Sequence, residues 1–264
     1  NISIRVEITD STFNATYLFE VSSHKKHDYV VSKEYASITD FTTNETHQYS
    51  VVNQKWQNKP SGVDPKISPL NLVLPIISGD ERFKRLEATI RNISIYNIYP
   101  DTLRIPQKYD PSKPMQEQGI NWVSILKDQD ISTWKDDFIS GLKVLTKEID
   151  DIEIKPVSGY LIARFRHGVF GESKKAKWFE ASSESDGTLR TAGILTALLQ
   201  IPRLPLIGIE EPELTIHPGA ISLLYDYLTQ ASSSSQIVIT THSPELLDRI
   251  KDTEAIRVIS KDSS

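Results

Sequence analysis

Apolar and polar residues alternate at the start of the chain, a pattern typical of strands with one buried face. Residues 2–8 carry isoleucine or valine at every second position, and shorter alternating stretches follow at 17–21, 29–31 and 48–52. Polar turns separate these stretches. Because successive side chains of a strand point to opposite faces, the pattern predicts an antiparallel β meander over residues 1–56.

The middle of the chain, residues 57–150, combines proline-rich loops with helical patterns. Prolines cluster at 60–75 and 100–114, and proline interrupts both helices and central strands. Elsewhere in this region apolar residues recur at three- to four-residue spacing. We therefore expect a loop-rich helical insertion. Its predicted elements are a helix or helix–strand pair over 81–98 and helices over 121–126 and 131–149.

Residues 151–264 alternate between strand-like and helical patterns, which predicts a parallel sheet. A hairpin is expected at 152–165 and a helix over 191–199. Continuous apolar runs at 206–209 and 237–239 are typical of buried parallel strands. The expected fold class is therefore α/β, with an antiparallel meander, a helical insertion and a C-terminal lobe built on a parallel sheet.

Two adjacent carboxylates, Glu210 and Glu211, follow the first apolar run, and Pro212 ends it. Ligands of open α/β sheets lie beyond the carboxyl ends of strands, and neighbouring strand residues point to opposite faces. One carboxylate can therefore hold the water shell of a metal ion while the other polarises a water. This is the Walker B pattern of nucleotide hydrolases. The alternative is a surface turn that happens to be rich in glutamate.

The second apolar run ends in two threonines, followed by His242, Ser243 and Pro244. Pro244 fits the first turn of a helix, with Ser243 as its N-cap. A histidine between a strand end and a helix start can contact a phosphate oxygen. A purely structural histidine is the alternative, but this one follows the acid pair by one β–α–β unit.

Upstream of both runs, Ser185, Gly187 and Thr188 open a helical segment. Hydroxyl groups and a small backbone at a helix start can accept a phosphate. An ordinary N-capped helix explains the same residues. The order of the three elements favours the functional interpretation: a capped helix, a strand ending in an acid pair, then a strand ending in a histidine.

In this order, residues 179–259 resemble the C-terminal lobe of ABC-type ATPases, in the soluble branch that contains RecF, SMC and OLD proteins. Residues 185–189 are similar to the signature motif of that branch and 207–213 to Walker B. Residues 214–218 are similar to the D-loop and 240–244 to the switch histidine. The resemblance implies a P-loop ATPase head of the AAA type that uses ATP and Mg²⁺ and forms a homodimer around nucleotide.

The resemblance also implies residue roles. Glu210 would bind magnesium through water, Glu211 would orient or deprotonate the attacking water, and His242 would sense the γ-phosphate. Nucleotide held by the other subunit would be contacted by Ser185, Gly187 and Thr188. Glu210 departs from the aspartate usual in the superfamily and is one methylene longer. A Q-loop role for Gln107 is a hypothesis, and Arg190 is expected to pair with either a phosphate or an acid.

The 264 residues contain no G-x-x-x-x-G-K-[ST] motif. Residues 168–175 imitate it with the wrong spacing and without a strand–loop–helix frame. We therefore expect the Walker A segment upstream of Asn1, in a longer polypeptide. A pseudo-ATPase that serves as an interaction scaffold is the alternative.

Composition limits the possible partners. The chain has 35 acidic residues against 30 lysines and arginines, a net charge of −5, whereas a dedicated nucleic-acid binder usually has a basic surplus. Local basic stretches at 25–26, 82–85 and 164–177 leave DNA contact open. Cysteine is absent, which excludes a disulfide framework and thiolate metal sites. No apolar run approaches the roughly 20 residues of a membrane span, so we expect a cytoplasmic protein that does not act at a membrane.

The resemblance to the soluble branch implies a role in DNA repair or phage defence, with DNA or a nuclease as a further partner. The ATP-binding subunit of a membrane transporter is a second class of function. It fits less well because the Ser-Asp-Gly-Thr and Glu-Pro-Glu…His-Pro variants resemble the soluble branch.

Overall fold

The computed structural model describes residues 2–25, 28–129, 131–147, 149–168 and 177–260. The chain forms two compact units, Asn1–Arg91 and Asn92–Ser264. The sequence predicts boundaries near residues 56 and 150 instead. The packing of the helices within each unit explains this difference.

The first unit is built on a five-stranded antiparallel sheet in which each strand pairs with the next along the chain. The antiparallel part of the predicted fold is therefore confirmed. The strands are β1 (Ile2–Thr9), β2 (Phe13–Lys25), β3 (Asp28–Asp40), β4 (Thr46–Val52) and β5 (Lys55–Asn58).

Two helices, α1 (Leu74–Ile77) and α2 (Glu81–Arg91), complete the first unit. Phe83 of α2 is fully buried, and its ring meets that of Tyr49 on β4 edge to face, with centroids 5.3 Å apart. Leu86 belongs to the same apolar cluster. Residues 57–91 therefore share a core with the sheet rather than forming part of a separate insertion.

A buried carboxylate, Glu34 on β3, joins this sheet to α1. It accepts hydrogen bonds from the hydroxyls of Tyr17 and Tyr49, at 3.0 and 2.7 Å. The backbone N–H groups of Val73 and Leu74 donate to it at 2.5 and 2.8 Å. A buried charge is tolerated when such donors satisfy it, so Glu34 fixes the loop before α1 to the sheet.

The second unit alternates helices and strands, as the sequence predicts for an α/β C-terminal lobe. Its first elements are β6 (Ile93–Tyr96), α3 (Pro100–Arg104), α4 (Trp122–Asp128), α5 (Ile131–Thr146), β7 (Ile149–Val157) and β8 (Tyr160–His167). The remaining elements are β9 (Lys177–Glu180), α6 (Asp186–Leu199), β10 (Leu206–Glu210), α7 (Ile221–Ala231), β11 (Gln236–Thr240) and α8 (Pro244–Leu247).

A parallel three-stranded sheet is the centre of this unit, with β10 between β6 and β11. It confirms the parallel sheet predicted from the apolar runs. The predicted hairpin is present as β7 and β8, and β9 adds a third antiparallel strand.

The helices predicted as an insertion pack within the second unit. The indole Nε1 of Trp122 on α4 donates to Thr196 Oγ1 on α6, at 2.9 Å. Phe138 and Leu142 of α5 are fully buried in the cluster that also contains Leu195 of α6. Residue 150 is therefore not a boundary between compact units, because α4 and α5 share the core of the C-terminal elements.

One face of the parallel sheet is apolar and open. Ile95, Gly208 and Val238 are paired across its three strands, and Ile95 and Val238 are 57% and 46% exposed. A Cβ at position 208 would lie 3.1 Å from Ile95 Cγ1, so glycine leaves room there for the isoleucine.

No helix in the described ranges combines the length and apolar character that a membrane crossing requires.

Candidate functional site

The carboxyl ends of β10 and β11 lie side by side. Glu210 pairs with Thr240 in the sheet register, and the backbone N–H of Glu211 donates to the carbonyl oxygen of Thr240 at 3.0 Å. Beyond this point, Nε2 of His242 lies 3.8 Å from Oε1 of Glu211. The structure thus brings together the acid and the histidine singled out from the sequence.

Both side chains are open to solvent. That of His242 is 93% exposed and that of Glu211 is 36% exposed. Glu210 is exposed as well. Because ligands of open α/β sheets lie beyond strand ends, these groups are accessible to a ligand at this edge.

Asn97, which sequence reasoning missed, contacts the first carboxylate of the pair. Its Nδ2 donates to Glu210 Oε2 at 2.7 Å. Asn97 directly follows β6, just as Glu211 follows β10. The signal was present in the sequence as a polar residue after an apolar strand, but it could be used only once β6 was known to lie beside β10.

Two carboxylates, Glu210 and Glu211, are available to a magnesium ion here, and no larger group of metal-binding side chains occurs among the described residues. Mg²⁺ in nucleotide sites is held by one or two carboxylates, with phosphate oxygens and waters completing the shell. Asn97 engages one oxygen of Glu210, so the geometry orients the carboxylate while its second oxygen can still accept a water.

Arg190, on α6, holds the backbone of the acid pair by hydrogen bonds. It is buried, and it donates to the carbonyl oxygens of Ile98 at 2.6 Å and of Glu210 and Glu211 at 3.0 Å each. Burial lowers the pKa of Arg190, and the nearby charges of Glu211 and Glu213 oppose this effect. The guanidinium therefore bonds backbone carbonyls, while its interaction with the acids Glu211 and Glu213 is electrostatic.

The chain turns sharply after β10. Glu211 and Thr215 have positive φ angles of 42° and 64°, in the left-handed region that non-glycine residues seldom adopt. Two backbone bonds close the turn: Leu214 N–H donates to Glu211 O and Ile216 N–H to Glu213 O, both at 3.1 Å. Strained backbone of this kind concentrates at functional sites.

The start of α6 contacts this turn. A Cβ on Gly187 would lie 2.6 Å from the carbonyl oxygen of Thr215, so no larger residue fits without movement. Ser185 is the exposed N-cap, and its Oγ accepts from Thr188 N–H at 3.1 Å. Thr188 is buried, and its hydroxyl is bonded to that of Ser185 at 2.9 Å. Within the predicted signature segment, Ser185 is thus exposed, Gly187 half-buried and Thr188 buried.

Gln107 serves a structural role. It is buried, its Nε2 donates to the carbonyl oxygens of Thr102 and Gly119 at 3.1 and 3.0 Å, and its Oε1 accepts from Val123 N–H at 3.1 Å. All the hydrogen-bonding atoms of the amide are used inside the second unit, which argues against the Q-loop hypothesis.

The basic stretch 164–177 is partly neutralised. Arg164 pairs with Glu153 at 2.8 Å and Arg166 with Asp150 at 2.7 Å. Residues 169–176, which include the imitation of a phosphate-binding loop after Gly168, lie outside the described residues.

Comparisons with known proteins identify the family. A family model described as "AAA domain, putative AbiEii toxin, Type IV TA system" matches residues 75–248. A search of curated proteins found no match.

Several solved structures are similar to the chain. A crystal structure of an Smc head bound to the C-winged helix domain of ScpA has a TM-score of 0.44 and 10% identity, over 90% of this chain and 69% of that one. The SMC head domain from Thermotoga maritima has a TM-score of 0.36 and 11% identity, over 91% and 68%. A structure from work on "ATP-driven dimerization and DNA stimulated activation of SMC ATPases" has a TM-score of 0.36 and 12% identity, over 51% and 83%.

The matched family segment covers more than half of the chain and includes β10, β11, Glu211 and His242. The predicted AAA-type ATP-binding domain is confirmed, and the chain belongs to this AAA domain family.

Proposed function

We propose that the chain is the hydrolytic part of an ATPase head that binds ATP and dimerises around it. The observation that carries the proposal is the approach of Glu211 Oε1 and His242 Nε2, 3.8 Å apart, beyond two neighbouring parallel strands. Their exposure at a strand-end edge suits a phosphate-bearing ligand.

Phosphoryl transfer to water depends on positioning and charge stabilisation. Glu211 would orient or deprotonate the attacking water, and His242 would contact the γ-phosphate. A bound Mg²⁺ would neutralise charge on the phosphate oxygens. Glu210, oriented by Asn97, would hold the ion through water.

The proposal requires a loop that cradles the β- and γ-phosphates, and the 264 residues contain no such motif. Among the described strands, β6 and β11 are the two edges of the parallel sheet, and each has β10 as its one neighbour. We propose that the strand leading into the phosphate-binding loop pairs at one of these edges. The open apolar face at Ile95 and Val238 would then receive the helix that follows the loop.

Dimerisation would use the start of α6. Ser185 and Gly187 would contact the γ-phosphate held by the second subunit, and Thr188 would support Ser185 through their hydroxyl bond. Hydrolysis would open the dimer, because this contact exists only with the triphosphate.

The biological context is a further part of the proposal. We propose DNA repair or phage defence as this context; the family description names a toxin of a type IV toxin–antitoxin system and neither of these two roles. DNA or a nuclease would be the additional partner. DNA binding that weakens with salt, or a nuclease that co-purifies, would support this context.

The decisive experiment compares Glu211→Gln with the wild type in the full-length protein. We expect ATP binding and ATP-dependent dimerisation in light scattering to persist, and hydrolysis to fall about 100-fold or more, because general-base catalysis contributes about 10²–10⁴-fold. Glu254→Gln, at an exposed position, is the matched control and should keep full turnover.

Unchanged turnover in Glu211→Gln would remove Glu211 as the base. A full-length protein that does not bind ATP would favour the interaction scaffold instead.

A further inference from the structure

The hydroxyl of Thr241 links the two loops that carry the candidate site. Its Oγ1 donates to Oε1 of Glu213, in the turn after β10. The same Oγ1 accepts the backbone N–H of Ser243 at 3.0 Å. Thr241 and Ser243 flank His242, so a single carboxylate anchors the backbone on both sides of the histidine.

Side-chain packing does not fix the imidazole. The His242 side chain is 93% exposed, so its position depends on the backbone that carries it. Two hydrogen bonds connect that backbone to the turn after β10. Glu211 N–H bonds the carbonyl oxygen of Thr240 at 3.0 Å, and Glu213 bonds Thr241 one residue further along.

Glu213 occupies its position at an energetic cost. Within the described part of the chain, its Oε2 is buried and has no hydrogen-bond partner. A buried acceptor left unpaired destabilises the fold, and such groups call for an explanation. The neighbouring charge of Arg190, which interacts with Glu213, compensates part of this cost. This cost is explained if Glu213 is needed to hold the loop that carries His242.

We propose that Glu213 is a positioning residue, which through Thr241 holds His242 at the distance from Glu211 that hydrolysis requires. The effect on activity rests on the ATPase function proposed above, whereas the anchoring of the loop does not. A displacement of about 1 Å in a catalytic constellation can cost about 100-fold in rate, so loss of the anchor is expected to act on turnover.

The activity test uses a matched pair at position 241 of the full-length protein. Thr241→Val keeps the shape and removes the hydroxyl, whereas Thr241→Ser keeps the hydroxyl. We expect kcat to fall about 10- to 100-fold in Thr241→Val, with KM for ATP changed less than about twofold. Thr241→Ser should stay within about twofold of the wild type in both constants.

A double-mutant cycle tests whether the two residues act as one link. Glu213→Ala should lower kcat to the same extent as Thr241→Val, and the double variant should be no slower than the slower single variant, because contacting residues are not additive. Fully additive losses would overturn the proposal.

Hydrogen exchange at the Ser243 amide supplies a readout that needs no turnover. Exchange should be at least about tenfold faster in Glu213→Ala, where Thr241 is intact but released, and unchanged in Thr241→Ser. Glu213→Gln keeps an oxygen acceptor for Thr241 and should restore protection, which separates loss of the anchor from general unfolding. Unchanged Ser243 exchange and unchanged kcat in Glu213→Ala would overturn the proposal. If exchange changes as expected while Glu211→Gln leaves turnover intact, the anchor stands and the proposed function fails.

Discussion

The buried guanidinium of Arg190 donates to the backbone carbonyl oxygen of Glu211 at 3.0 Å. A residue of the signature helix thus holds the main chain of the candidate base. The same guanidinium donates to the carbonyl oxygens of Ile98 and Glu210. One side chain therefore holds the backbone at the carboxyl ends of two neighbouring strands, β6 and β10.

Arg190→Ala is expected to destabilise the protein strongly. It would leave the carbonyl oxygens of Ile98, Glu210 and Glu211 without this donor, and each unpaired buried acceptor costs about 1–3 kcal/mol. We expect the free energy of unfolding to fall by about 3 kcal/mol or more in denaturant titrations. Arg190→Lys should recover only part, because an ammonium group lacks the planar fork of donors.

The control for Arg190 is Arg91→Ala. Arg91 is exposed and pairs with Glu87 within α2, an arrangement worth about 0–1 kcal/mol. Equal destabilisation by the two variants would contradict the supporting role of Arg190.

Gly187→Ala is expected to separate the start of α6 from the turn after β10. The new methyl group would lie 2.6 Å from Thr215 O, so either the helix or the strained turn must move. We expect a lower melting temperature and a loss of ATP turnover. Gly79→Ala, where nothing lies within 4 Å of the new Cβ, should leave both unchanged. A neutral Gly187→Ala would show that this contact is dispensable.

Asn97→Ala is expected to weaken the response to magnesium. Asn97 orients Glu210 through a 2.7 Å hydrogen bond, and loss of such a partner typically costs about 10–100-fold in metal affinity. The Mg²⁺ concentration at half-maximal ATP hydrolysis should rise about tenfold, without loss of fold by circular dichroism. Asn71→Ala, at an exposed position of the first unit, serves as the control. An unchanged Mg²⁺ titration would place the ion away from Glu210.

Alkaline pH is expected to unfold the first unit through its buried tyrosines. Burial, together with the charge of Glu34, raises the pKa of Tyr17 and of Tyr49 far above the ordinary 10.0. Above pH 10 the unfolded chain loses these two protons and the folded chain keeps them, so stability falls as pH rises. The expected slope is about 1.4 kcal/mol per pH unit for each tyrosine.

Phenolate absorbance checks this expectation. The phenols of Tyr17 and Tyr49 should ionise only as the first unit unfolds, and Tyr49→Phe should remove one of them and reduce the contribution of this pair to the slope by about half. Ionisation of all tyrosines before unfolding would contradict it.

Much of the fold could be predicted because its signals are local. Alternation in residues 2–8 and the apolar runs before Glu210 and His242 depend on the geometry of a single strand. The approach of Glu211 and His242 followed from one rule about the ends of parallel strands. The unit boundaries could not be read in the same way. The proline-rich residues after 57 were predicted to begin a separate insertion, but Phe83, which follows them, packs on Tyr49.

The supporting contacts of the site were beyond sequence reasoning because they join distant segments. Asn97 meets Glu210 across 113 positions of the sequence, and its relevance depends on which strand β6 pairs with. Arg190 was expected to bind a phosphate or an acid, since nothing in its neighbours indicates that three main-chain carbonyls converge on it. Pairing between strands and burial of a charge are properties of the whole unit.

Glu34 determines where this protein can be cut. A fragment that stops after β5 would retain all five strands, yet its internal carboxylate would lose the two amide donors supplied by Val73 and Leu74. The incompletely paired charge would destabilise a sheet that has also lost its packing against Phe83 and Leu86. Expression of the N-terminal portion alone should therefore extend through Arg91, and shorter versions should accumulate as insoluble material.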